Sequence, residues 1–285
     1  MPWSKAGRLS ALSLALLGLF ASSAFADEIE GHYRMGLNYE RRGDFVAAAR
    51  EVHEAVRLRP GYAAAWLTLG GIERKQGHMD AALEAFDKVI TLSPKEQQGY
   101  ALAGAVLIRL KKYEQAADRL RKAIELDKDD LQSIANLGLV LRKLNKNEEA
   151  VKVMDDAVKR KPDDPDLLNN LAVALRQLRR YEEAIAHLQH ALELKPADVE
   201  LHRNMAITLR GAERWKDAIP HYQAVLAKDL NDAAMLYDLA NCYEKLGNNP
   251  EAVATYKRYV DAIKAKDPAA AERGQDRIKA LDHGP

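Results

Sequence analysis

Three stretches of the chain, NLGLVLR at 136–142, NLAVALR at 170–176 and NMAITLR at 204–210, follow one another at intervals of 34 residues. They repeat Asn136, Asn170 and Asn204, and then Arg142, Arg176 and Arg210, two groups that an apolar core does not want. An amide side chain offers a donor and an acceptor, so a row of asparagines matches the C=O and N–H of a polypeptide whatever its sequence. A guanidinium adds forked, permanently charged donors that suit carboxylates. Between them in each stretch falls an aliphatic residue, Leu139, Val173 or Ile207. Such groups would suit the gripping of a peptide strand. Duplication of a single hairpin would also leave shared residues, and Lys146, Arg180 and Arg214 stay alike in the same way with the character of surface residues. Charge does not decide between the two readings, since two arginines about 10 Å apart repel by only ~0.4 kcal/mol in water.

Other candidates for chemistry are weaker. His187 and His190 lie three apart, with His221 one interval beyond His187, and together could reach a transition metal. No carboxylate or cysteine completes such a site, so solvated histidines are the expectation. Cys242 is the only cysteine, which excludes an internal disulfide; it reads as a small buried hydrophobe without a poised histidine. GGIERKQG at 70–77 lacks the Gly-Lys-Ser/Thr ending of a phosphate loop, and its glycines suit helix packing and a turn. Neither cofactor nor catalysis is expected. The 43 basic and 42 acidic residues leave a formal charge of +1, which gives no support for a nucleic-acid partner.

The elements that must position these groups follow from the interval itself. Seven units run without insertion: 29–62, 63–96, 97–130, 131–164, 165–198, 199–232 and 233–266. Position 20 of every unit is alanine, from Ala48 to Ala252. Position 8 is Gly36, Gly70, Gly104 and Gly138, then Ala172, Ala206 and Ala240. Position 24 is large throughout, as in Phe86, Leu120, Met154 and Tyr222, and position 32 is Pro60, Pro94, Pro162 and Pro196. Positions 4, 7, 8 and 11 share one face of a first helix, and 20, 24 and 27 one face of a second. Small residues at 8 and 20 let the two axes approach, and the proline closes the second helix. A single hairpin cannot bury its apolar faces, so the units must stack.

These residues resemble the tetratricopeptide repeat family, most clearly in 63–96 with Trp66, Leu69, Gly70, Ala82, Phe86 and Pro94. The resemblance spans 29–266 and implies an all-α, right-handed superhelical solenoid of seven repeats. Departures are Glu73 at a position usually large, Lys128, Leu230 and Lys264 where proline is usual, and Tyr259 where a small residue is usual. Pro220 falls inside a second helix. After the repeats, Asp267-Pro268 reads as a helix start, and Ala271, Gly274, Ile278 and Leu281 share a face, so 267–285 is expected to hold a capping helix and tail.

The resemblance also implies that positions 2, 5, 6, 9, 12 and 13 of each first helix line a concave groove. Asn136, Asn170 and Asn204 would edge one side, and Arg142, Arg176, Arg210 and Arg74 the other. The family's clamp for a terminal carboxylate is absent, because its positions hold Tyr33, Leu37, Thr68, Gln98 and Leu102. Leu67, Ala101, Leu102, Ala105 and Ile108 make the groove apolar in the second and third units, suited either to a hydrophobic partner segment or to coverage by neighbouring units.

Residues 1–26 read as a secretory leader: Lys5 and Arg8, then the uncharged LSALSLALLGLF at 9–20, then Ala24 and Ala26 in the small-x-small pattern before the cut. The apolar run is too short for a membrane span. The expectation is a periplasmic protein, a monomer or weak homo-oligomer, that acts as a non-catalytic adaptor binding cell-envelope proteins through an extended or acidic segment. The alternative is binding of an envelope polymer such as peptidoglycan.

Overall fold

The computed structural model describes residues 11–282, with side chains described from residue 26 onward. Lys5 and Arg8 of the expected leader lie outside the described residues. Among the described residues every regular element is an α-helix. In chain order these are α1 (Ala11–Arg41), α2 (Phe45–Leu58), α3 (Ala63–Gln76), α4 (Met79–Leu92), α5 (Gln97–Arg109), α6 (Tyr113–Leu126), α7 (Leu131–Lys143) and α8 (Asn147–Arg160). They continue as α9 (Pro165–Gln177), α10 (Tyr181–Leu194), α11 (Val199–Gly211), α12 (Trp215–Leu226), α13 (Ala233–Lys245), α14 (Asn249–Ile263) and α15 (Pro268–Asp282). The fold is an all-α repeat solenoid. None of the described helices is long and apolar enough to cross a membrane.

Two compact units divide within α7, the first reaching Asn136 and the second beginning at Leu137. In the first, each helix packs against the next, from α1 on α2 through α5 on α6. Its core joins Val52, Val56, Leu69 and Ile72 in one cluster and Phe86, Ala103 and Val106 in another. The same succession runs through the second unit and ends with α15 on α14.

The close approach inside each hairpin has a direct cause. A Cβ at Gly70 would come within 2.6 Å of the Phe86 ring, and one at Gly104 within 2.7 Å of Leu120 Cγ. Glycine at position 8 thus makes room for the large residue at position 24. Where position 8 is alanine, as at Ala172, Ala206 and Ala240, it is fully buried. The turn between the two helices demands a left-handed residue at position 15. Gly43, Gly77 and Gly247 meet that demand without strain, while Lys111, Asn145, Arg179 and Glu213 adopt φ of 57–59° as L-residues. In the later units Asp164, Asp198 and Asp232 cap first helices through side-chain bonds to backbone N–H groups, and Pro165 takes the first turn of α9.

The departures from the family pattern are accommodated locally. Glu73 is buried to 7% exposure, with its carboxylate 2.7 Å from His78 Nδ1. Pro220 lies inside α12, which runs for 12 residues where α10 runs for 14. Tyr259 packs toward α15, its hydroxyl donating to the Ala270 carbonyl at 3.4 Å, and Gly274 leaves space for the ring. Ala271 and Gly274 are buried on the inner face of α15, with Ile278 and Leu281 half-buried.

Candidate functional site

Positions 3 and 10 of the first helices are also buried, as at Leu167, Ala174, Leu201, Thr208, Met235 and Cys242. With positions 4, 7, 8 and 11 they leave a narrow outward strip. In the second unit that strip carries Leu139, Val173 and Ile207, of which Leu139 is exposed and the other two half-buried.

The arginines of this strip are not equivalent. Arg210 reaches the Asp238 carboxylate at 3.3 Å and donates from Nε to the Tyr222 hydroxyl at 3.2 Å. Burial works against its charge, but Asp238 and Tyr222 outweigh that and hold its pKa above the ordinary value. Tyr222 in turn donates to Asp238 at 3.3 Å, and burial pushes its own pKa up. Arg142 and Arg176 have no such partner among the described residues, and each keeps a buried N–H (Nε of Arg142, Nη1 of Arg176) without an acceptor. Burial lowers the pKa of both, and at Arg176 the neighbouring charge of Arg142 lowers it further. Glu200 acts on Arg176 at longer range only; its carboxylate accepts from Asn204 and lies 3.5 Å from Arg203.

The asparagines differ as well. Asn204 is 6% exposed, its amide donating to Asn169 Oδ1 at 2.9 Å and to Glu200 at 3.3 Å. Its NH2 group therefore ties α11 to α9. Asn170 is half-buried on α9. Asn136 belongs to the first unit, where its Oδ1 accepts from Gln132 at 3.2 Å. On this strip Asn204 and Arg210 are thus engaged by the protein itself, whereas Arg142 and Arg176 are not engaged in this way by the described residues.

Asp238 and Glu244 were not singled out in the sequence, although they occupy positions 6 and 12 of the seventh unit. There the asparagine and arginine of the preceding units give way to two carboxylates. Asp238 takes Arg210, and Glu244 pairs with Arg277 of α15 and accepts from Tyr256 at 3.0 Å. Extending the position-by-position reading through the last unit would have revealed both.

In the first unit Arg74 also has a buried Nε without an acceptor. Leu67 and Leu102 pack on the cluster around Phe86, and Ala101, Ala105 and Ile108 are half-buried. None of the five is strongly exposed, so this patch is partly core.

The histidines have other neighbours than a shared metal. His190 lies 2.8 Å from Asp163, and His221 meets His202 at 2.8 Å between Nδ1 atoms. His202 Nε2 faces the Pro196 carbonyl at 3.0 Å, so it carries that proton and His221 donates to His202 in the neutral pair. Cys242 is fully buried, and burial pushes its thiol up to about 12, which makes it inert at neutral pH.

A family model described as the Cilia and flagella-associated protein 70 C-terminal domain matches residues 17–219, and a tetratricopeptide repeat model matches 203–271. Among solved structures, a tetratricopeptide repeat protein from Parabacteroides merdae ATCC 43184 aligns with a TM-score of 0.66 at 16% identity, over 90% of this chain and 100% of that one. The Cut9–Hcn1 hetero-tetramer of the APC/C aligns with a TM-score of 0.61 at 20% identity, over 82% of this chain and 48% of that one. MamA from Desulfovibrio magneticus RS-1 gives 0.54 at 19%, over 60% and 96%. At these identities the likeness concerns the fold. No curated protein matches the chain. The interval of 34 residues, the hairpins built on it and the model that spans 17–219 lead to one conclusion: the chain belongs to the tetratricopeptide repeat family, whose fold is a scaffold for protein–protein interaction.

Proposed function

We propose that this protein is a non-catalytic adaptor of the bacterial cell envelope that holds a partner polypeptide against the outward strip of α9, α11 and the 137–143 segment of α7. The observation that carries the reading is the pair Arg142 and Arg176, half-buried cations whose buried N–H groups lack an acceptor among the described residues. A folded chain usually supplies partners for such groups. Leu139, Val173 and Ile207 and the half-buried Asn170 amide on the first helices of these repeats would provide the remaining contacts for a peptide strand. The envelope setting rests on the leader pattern of residues 1–26, and cleavage there would leave 27–41 as the first helix of the first hairpin.

The test is capture from detergent-solubilised envelope with the protein as bait, followed by mass spectrometry, beside a variant carrying Arg142→Gln, Asn170→Ala and Arg176→Gln. Asn204 and Arg210 stay untouched because each holds the fold together. A protein captured by the wild type and lost with the folded variant supports the groove; capture that survives all three changes refutes it. Sequencing the exported protein checks the setting, with Asp27 expected at the amino terminus. Pelleting with purified cell wall addresses the polymer alternative, which the scarcity of aromatic rings on this strip disfavours.

A further inference from the structure

We infer that Arg142 and Arg176 form a seat for two carboxylates three residues apart in an extended, polyproline II segment of the partner. The inference rests on the groove reading and adds to it a charge, a spacing and a backbone conformation.

The charge follows from what the seat lacks. Arg210 occupies the same helix position as the other two, yet Asp238 and Tyr222 satisfy it. The seventh unit carries Glu244 at that position, satisfied by Arg277 and Tyr256. The row of arginines is therefore neutralised from the C-terminal side inward, and the positive field is left at Arg142 and Arg176. Burial works against the charge of both, and the charge of Arg142 depresses Arg176 further, an interaction that an incoming anion would relieve. A neutral backbone carbonyl could satisfy one N–H but would leave the mutual repulsion in place. A carboxylate answers both, and in a half-buried setting its charge is screened less than at an open surface.

The spacing follows from the repeat. The two arginines sit at one position of successive first helices; the next such pair, α9 and α11, is in contact, and packed helices lie about 8–10 Å apart. A polyproline II strand returns to the same face every three residues with a rise of about 3.1 Å each, which places like side chains about 9 Å apart. A β-strand brings side chains to one face every two residues, at roughly 7 or 13 Å, and fits less well. Leu139 and Val173, on the same helices as the two arginines, would lie under the residues between the two acids.

The probe is a labelled, end-blocked peptide of sequence Pro-Pro-Glu-Pro-Pro-Glu-Pro-Pro, read by fluorescence anisotropy with the purified protein at low salt. Its counterpart carries glutamine at both glutamate positions. The expected result is binding at least about tenfold tighter for the glutamate peptide, weakening as salt rises. Either Arg142→Gln or Arg176→Gln should remove the preference. Arg180→Gln should keep it, since that guanidinium pairs with Glu183 at 2.6 Å and the substitution changes net charge equally. A thermal melt of each variant confirms folding. Equal binding of the two peptides, no binding of either, or a loss with Arg180→Gln as large as with Arg176→Gln overturns the seat. The wider groove reading is decided separately by capture from the envelope, which can succeed with a partner that carries no acidic pair.

Discussion

Replacing Arg176 and Arg210 in turn by methionine should move stability in opposite directions, although both are half-buried arginines at one position of the repeat. Methionine keeps most of the stem that packs along the helix and removes the charged head. At Arg176 the head carries a buried N–H without an acceptor, and such a donor costs about 1–3 kcal/mol. Because the residue is partly exposed, the lower end applies, and Arg176→Met is expected to stabilise by about 1 kcal/mol. At Arg210 the substitution leaves the Asp238 carboxylate, 19% exposed beside an arginine at 37%, with the Tyr222 hydroxyl but no counter-charge. Breaking a fully buried pair costs about 3–5 kcal/mol, so about 2 kcal/mol is expected once this exposure is allowed for. For a domain of this size each kcal/mol moves Tm by about 2–4 °C. Scanning calorimetry at pH 7 should thus show a rise of a few degrees for Arg176→Met and a larger fall for Arg210→Met. A fall at both positions of similar size would refute the claim that Arg176 is held without compensation, and with it the physical basis of the seat.

Three further outcomes follow from the local geometry. Gly70→Val should cost about 2 kcal/mol or more in urea unfolding, because the added side chain meets the Phe86 ring and the helices of that hairpin must part. Asp164→Ala should cost about 1 kcal/mol by removing the cap that accepts from the N–H groups of Asp166 and Leu167, with no change in peptide binding by titration. The His221 pKa is lowered, first by burial and then by His202, so the folded state binds this proton less readily than the unfolded chain. Stability should be complete above the unfolded value of about 6.5 and fall as the pH drops through it. His221→Gln should flatten that fall between pH 7.5 and 5.5, whereas His190, raised by Asp163, contributes in the opposite sense.

The hairpins were legible because their constraints recur. A glycine or alanine opposite a large side chain means little once, but seven repetitions at one interval leave a single architecture that satisfies them all. The same averaging hid what does not recur. Positions 3 and 10 hold Leu167 and Ala174 in one unit, Leu201 and Thr208 in the next, Met235 and Cys242 in a third. Their shared burial comes from packing between successive hairpins, which the periodicity of one helix does not display. Asn204 shows the limit from the other side: its letter repeats, yet its amide is spent on Asn169, a residue with no counterpart asparagine in the adjacent units.

Fold and site therefore depend on opposite features of this chain. What is constant across units, at positions 8, 20 and 24, builds the scaffold. What distinguishes one arginine from the next is a break in the pattern, the arrival of Asp238 and Glu244 where asparagine and arginine stood before. Identical arginines on identical helices then acquire different energies, because one meets a carboxylate from the following unit and two do not. In a repeat protein the binding residues are consequently not found by asking which side chains recur. They are found by asking at which recurrence the protein stops supplying a partner, since only there is the interaction left for another molecule to complete.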